Sequence, residues 1–191
     1  MDKSFLKLIP ILILISLSSW IKPNPSESNS DKILWKKDYR LKWEDFSGKA
    51  GKEEKLIQTK TEIVVHRTPI KEKIIIEVPC YFLKNKSWKK EGATRELLAH
   101  EQVRFTIYEI FARNIRKEIK SIGMSGSSQI ERRLNAIYEK HMQTCAKFNE
   151  RYDLETEMGR NTTEQIKWNH RINQMLENLS DCERIHLELE N

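Results

Sequence analysis

From Thr94 to Ile122 neither Gly nor Pro interrupts the chain, and Leu97, Leu98, Phe105, Ile107, Phe111, Ile115 and Ile119 recur at helical spacing. A long helix with such a stripe needs other elements to cover it. Thr94 is positioned as N-cap, with Leu97 rather than the Glu of a capping box at the third helical position, and Gly123 ends the helix. A second helix is expected from Ser128 to Arg151 on Ile130, Leu134, Ile137, Tyr138, Met142 and Phe148. A loop around Gly159 spans Asp153 to Asn161. Thr162 or Thr163 then opens a third helix carrying Ile166, Trp168, Ile172, Met175 and Leu176. The pattern before Thr94 is different. Ile33 to Phe46 suits a strand or an extended edge. Leu56 to Thr68 is rich in β-branched residues until Pro69 breaks it. Lys71 to Leu83 holds the apolar cluster Ile74 to Ile76. The last two runs are expected to pair as a hairpin around Thr68-Pro69. A small N-terminal antiparallel sheet followed by three main helices makes an α+β domain.

Ahead of this domain, Lys3 and Lys7 precede a mostly apolar run from Leu8 to Ile21, the layout of a signal peptide over residues 1–21. An uncleaved signal anchor is the alternative; Pro10 and the shortness of the run argue against it. Residues 22–32 read as a Pro/Ser-rich linker, 33–180 as the domain and 181–191 as a C-terminal tail. The domain is therefore expected to be exported, periplasmic or secreted, touching a membrane only through an uncleaved N-terminal segment. In an oxidising compartment Cys80, Cys145 and Cys182 allow one bridge and one free thiol, and all three pairings stay open. The sequence holds 34 Lys+Arg against 28 Asp+Glu. No Lys/Arg block of nucleic-acid-binding type and no stacking motif occur, so nucleic acid is not an expected partner. The mild basicity suits a weak attraction to anionic envelope surfaces.

One constellation in the long helix bears on chemistry, His100-Glu101-Gln102-Val103-Arg104. Where two His stand at i and i+4, both lie on one helical face and bind zinc, and the Glu after the first is general base toward the metal-bound water. Here Arg104 stands in place of the second His. Positions 100, 104, 107, 111 and 115 form one stripe, which turns Arg104 inward; a solvent-facing Arg104 is the alternative. Tyr152 is a candidate oxyanion donor, although a core tyrosine with a satisfied hydroxyl is the commoner case.

The surrounding residues resemble a bacterial family known as domain of unknown function 922. Leu97, Leu98, His100, Glu101, Gln102, Phe105, Ile107, Glu109, Ala112, Arg113, Ile115 and Arg116 fit its central helix. Tyr39, Leu41, Trp43, Asp45, Phe46 and Gly48 fit an earlier W-x-D-F-x-G signature. Ser87-Trp88 fits the SW before the helix. Tyr152, Asp153, Glu155, Thr156 and Gly159 fit YD-x-ET-x-HG, followed by Gln165, Trp168 and Ile172. The agreement covers roughly residues 34–178. It implies a zincin-like fold and a zinc-dependent peptidase.

The departures fall on the metal site that the resemblance implies. The pattern has His at Arg104, Asp at Thr106 and His, the expected third ligand, at Met158. Only His100 remains of the three protein ligands that a catalytic zinc needs. Arg104 has no lone pair and always carries charge, and the Met158 thioether is a soft ligand. Glu101 is then a vestigial base. Arg104 is expected to replace the missing dication as partner for Glu101, with Glu155 and Glu157 as further acids; Thr106, Tyr152, Met158 and Gly159 line the site. No cofactor is expected unless the site still takes zinc. The leading reading is a degenerate, non-hydrolytic member that keeps a cleft for a peptide, protein or envelope component. The alternatives are an active peptidase with unusual ligands and an interaction module that uses only the scaffold. A rearranged site, His100 with His141 or His170 and Glu155 or Glu157, needs new geometry and ranks last.

Overall fold

A computed structural model describes residues 31–71, 73–121 and 127–190. The signal segment, most of the linker and the glycine expected to end the first helix lie outside these residues. Among them are eight short strands and three α-helices: β1 (Lys32–Leu34), β2 (Ile57–Gln58), β3 (Thr61–Ile63), β4 (His66–Ile70), β5 (Lys73–Glu77), β6 (Cys80–Leu83), β7 (Trp88–Lys89), α1 (Arg95–Ser121), α2 (Ser127–Glu155), α3 (Thr162–Glu177) and β8 (His186–Glu190). The strands make three antiparallel groups, ordered β1-β6-β3, β2-β7 and β4-β5-β8. The α+β order expected from the sequence is therefore present.

Helix α1 is the spine. Phe105, Ile107, Ile110, Phe111, Ala112, Ile115 and Ile119 are all buried. They lie on more than one face because β2, β3 and β6 cover one side while α2 and α3 cover the others. Phe82 of β6 joins the layers, with ring centroids 5.1 Å from Phe46 and 5.8 Å from Phe105. The Thr94 hydroxyl accepts from Leu97 N, as an N-cap should.

Several local expectations are corrected. Only Lys32–Leu34 of the first aromatic run pairs as a strand; the run ends in a 3-10 turn over Trp43–Asp45. Asp45 makes that turn, its Oδ2 accepting from Lys42 N and from the Tyr39 hydroxyl, both at 2.8 Å. The Leu56–Thr68 run is three strands rather than one. The hairpin does not turn at Thr68-Pro69: these residues pair with Ile75 and Ile74 inside β4, and the reversal falls after Ile70, with Lys71 left-handed (φ 53°). β4 is an edge strand, where proline's missing N–H costs no ladder bond. The expected tail contains β8, whose five residues pair with all of β5. α3 does open at Thr162, as expected, and Asn161 caps it by accepting from Glu164 N. No bridge joins the cysteines; all three are buried free thiols, and burial holds the Cys80 thiol well above its usual pKa.

A buried charge cluster on α1 holds the C-terminal segment. Glu109 accepts from Arg113 Nε at 3.0 Å and from Arg116 NH1 at 2.9 Å. Arg116, only 1% exposed, also donates to Val78 O and Cys182 O. Arg113 reaches Leu176 O and Leu179 O. Leu176 O and Leu179 O also accept turn bonds from Leu179 N and Cys182 N, so Arg113 adds a second donor to the carbonyls that end α3. Removing one member of a buried pair strands the other, which costs about 3–5 kcal/mol. Arg116→Leu is expected to lower the unfolding free energy by about that much in a urea titration.

Candidate functional site

Three elements bring the site together: the first turns of α1, the last turns of α2 and the start of α3. Hydrogen-bond partners orient the His100 ring. Its Nδ1 lies 3.1 Å from Gln165 Oε1 on α3. Tyr152 stacks on the ring (4.3 Å between centroids, 10° between planes) and donates its hydroxyl to His100 O and Gln165 Oε1. Nε2 is left facing the middle of the site, 3.1 Å from Asp153 Oδ1 and 3.3 Å from Arg104 NH2.

The Arg104 guanidinium is the centre of this geometry. Its Nε donates to Glu101 Oε2 at 2.9 Å, and its NH2 donates to Asp153 Oδ1 while also facing His100 Nε2. Two carboxylates from two helices thus share one cation. Burial alone would lower the Arg104 pKa, but Glu101 and Asp153 raise it, so the charge is retained. Burial likewise pushes the Asp153 carboxyl up, and the His100 ring and the Arg104 guanidinium outweigh it and hold the carboxyl below its ordinary range.

The α2–α3 connection approaches His100 closely. Glu157 (φ 51°), Met158 (φ 58°) and Gly159 (φ 85°) form a left-handed run. A Cβ on Gly159 would stand 2.8 Å from His100 Cβ, so glycine is required by both conformation and contact. A cleft of about 800 Å³ opens beside this turn. Residues 54–61 form one wall; Thr94, Leu97, His100, Glu101, Arg104 and Tyr108 of α1 form the other. Met158 lines it at the turn. The hydroxyls of Thr59 and Thr61, on the strand side, have no hydrogen-bond partner.

The expected site residues divide into two sets. His100, Glu101, Arg104 and Met158 line the cleft, and Gly159 packs behind His100. Thr106 is on another face of α1, donating to Gln102 O and accepting from Trp35 Nε1. Glu155 points away, held by Arg151 and Trp168. Glu157 is exposed and faces a shallow groove with Leu154 and Arg160. The Tyr152 hydroxyl is spent on His100 O and Gln165 and offers no oxyanion donor. His141 pairs with Glu118 and His186 with Glu77, while His66 and His170 are exposed; none joins His100. Asp153, Gln165 and Thr156 carry the site but were not among the expected site residues. The signal for Asp153 is its place one residue after Tyr152, on the α2 face that meets α1.

The residues present do not fit a catalytic zinc. Among the described residues no group of three or more His, Cys, Asp or Glu is arranged to hold a metal. An ion at ~2.0–2.1 Å from His100 Nε2 would lie against a cationic N–H group.

Two outcomes follow. Arg104→Ala leaves two carboxylates without their cation and is expected to cost about 2–3 kcal/mol at neutral pH. Because the Asp153 pKa is lowered on folding, its contribution is present above the ordinary aspartate value of about 3.9 and is lost as pH falls below it. The deficit of the variant should therefore shrink on going from pH 7 to pH 3 in urea titrations; a constant deficit would assign it to packing. Gly159→Ala should cost about 2 kcal/mol and shift the His100 ring resonances, since the new methyl meets His100.

Comparison with known proteins agrees with the family resemblance over part of the chain. Residues 84–159 match the model of the family described as bacterial protein of unknown function (DUF922). That segment runs from before β7 to Gly159, and so contains α1, α2 and the turn at His100. No curated protein and no solved structure matches the chain.

Proposed function

We propose that this chain, whose residues 84–159 match the DUF922 model, is an exported, non-hydrolytic member of that family in which Arg104 has replaced the metal. One observation carries the reading: the Arg104 NH2 faces His100 Nε2 at 3.3 Å while the same guanidinium neutralises Glu101 and Asp153. Hydrolysis in the zincin manner needs a Lewis acid and a base that is free to take a proton from water. Glu101 instead accepts from an arginine that always carries charge. The loss of catalysis and the retention of the fold then have one cause, since a cation built into the chain holds together carboxylates that would otherwise repel.

The cleft remains available for binding. Its strand wall includes Thr59 and Thr61, whose hydroxyls have no partner, and β3 is the last strand of its sheet. An open strand edge beside a helix accepts an extended peptide through main-chain hydrogen bonds. Such a ligand would lie along the strand wall and across Arg104 and Met158. The N-terminal pattern of Lys3, Lys7 and the apolar run to Ile21 is the ground for export to the periplasm or beyond.

Metal stoichiometry tests this reading. Untagged protein analysed by mass spectrometry should contain no stoichiometric metal and should not cleave an unfolded protein substrate. The Arg104→His, Met158→His double variant should take up about one zinc per chain, because it restores the ligand number of a catalytic site. Zinc at one per chain in the parent, with hydrolysis abolished by Glu101→Gln, would return the protein to the metallopeptidases.

A further inference from the structure

The lysines that the sequence scatters are gathered by the fold. Residues 42–60 and 84–90 are far apart in the chain but hydrogen-bonded to each other: Ser47 N donates to Lys84 O, Gly48 N to Ser87 O, Lys60 N to Ser87 Oγ and Lys90 N to Leu56 O. Gly48 is pinned there, since a Cβ would stand 2.7 Å from Ser87 O. Together the two segments hold nine lysines (42, 49, 52, 55, 60, 84, 86, 89 and 90) against four acids (44, 45, 53 and 54). One of these acids, Asp45, is buried. Their net charge is +5. Residues 31–191 as a whole carry 31 Lys+Arg and 26 Asp+Glu, also +5. The rest of the domain sums to zero, so its net charge equals that of these two adjoining segments, which form one lysine-rich side.

That side includes a wall of the cleft. Lys55 and Lys60 line it from the strand segment, and Arg160 lines it from beyond the left-handed turn; all three are exposed. The acids that line it are Glu54 and Glu101, and Glu101 is already taken by Arg104. The charge left for a ligand is positive. Cations focused on a cleft raise the local concentration of anions and steer their approach.

We infer that the cleft selects acidic segments: the ligand is an extended peptide whose Asp or Glu side chains meet Lys55, Lys60 and Arg160. This deepens the peptide-cleft reading above and rests on it. A strand-like ligand points alternate side chains to one side, so an acid at every second position would bring its carboxylates to one row of cations while the intervening residues cover Met158 and Leu97. The more distant lysines, Lys84 and Lys86 among them, contribute steering rather than contact.

The test uses titration calorimetry on the untagged protein. The probes are capped unstructured peptides of about eight residues, roughly 26 Å when extended. One carries Glu at alternate positions; its twin carries Gln there. The Glu peptide should bind at least tenfold tighter at low salt, and its advantage should fall as salt approaches physiological strength, where the Debye length is about 8 Å. Lys55→Glu with Lys60→Glu should abolish the advantage. Lys84→Glu with Lys86→Glu makes the same change in net charge outside the cleft and should leave most of it. Equal binding of the two peptides would overturn the acidic selection and leave the peptide cleft standing. No binding of either would overturn the cleft reading itself. Equal losses in the two double variants would replace the cleft by a diffuse polyanion surface. Binding to phosphatidylglycerol vesicles without binding to the Glu peptide would replace it by a membrane contact.

Discussion

A long helix covered on several sides must neutralise within the protein interior the charges it buries, and α1 does so twice with the same device. Near its start Glu101 pairs with Arg104 at i+3; in its middle Glu109 pairs with Arg113 at i+4 and with Arg116 one turn further. In each case an acid and a base from one helix neutralise each other and leave spare donors for groups elsewhere. The middle pair spends them on backbone carbonyls of the C-terminal segment. The first pair spends them on Asp153 of α2. The domain is therefore tied together by guanidinium groups as much as by its apolar core, and the candidate site is one of the two knots.

This arrangement gives meaning to the departures from the family pattern. Replacing His by Arg at position 104 does more than delete a ligand. It places a fixed positive charge against Glu101 and Asp153. Met158, by contrast, is exposed and lines the cleft.

Much of the fold was legible because helical period and β-branched runs are local signals. α1 and α2 fall within a few residues of their expected ends, and the inward turn of Arg104 followed from its stripe with Ile107 and Phe111. The misreadings come from tertiary pairing. Pro69 looks like a breaker until β5 shows that its strand has an open edge. Residues 186–190 alternate polar and apolar side chains, a signal too short to separate from a tail until β5 offers them a partner along its full length. In the site, Glu155 and Glu157 looked as eligible as Asp153, since sequence places all three near the turn. Only the direction of the last turn of α2 separates them: Asp153 faces α1, Glu155 faces Trp168 and Glu157 lies past the helix end. The lysine-rich side was invisible for the same reason, being assembled from two segments that are far apart in the chain and meet only in the fold.

The reach of the middle knot has a consequence for how the chain acquires its shape. Arg113 and Arg116 take carbonyls of residues 176, 179 and 182, lying 63 and 66 positions further along. A nascent chain emerging from the ribosome has made α1 long before these acceptors exist. Until they arrive the two guanidinium groups have only Glu109 and Val78 O as buried partners, and their remaining donors are left without acceptors. Such a chain stays open through most of its synthesis and closes late. That delay makes the C-terminal segment the latch of the whole domain.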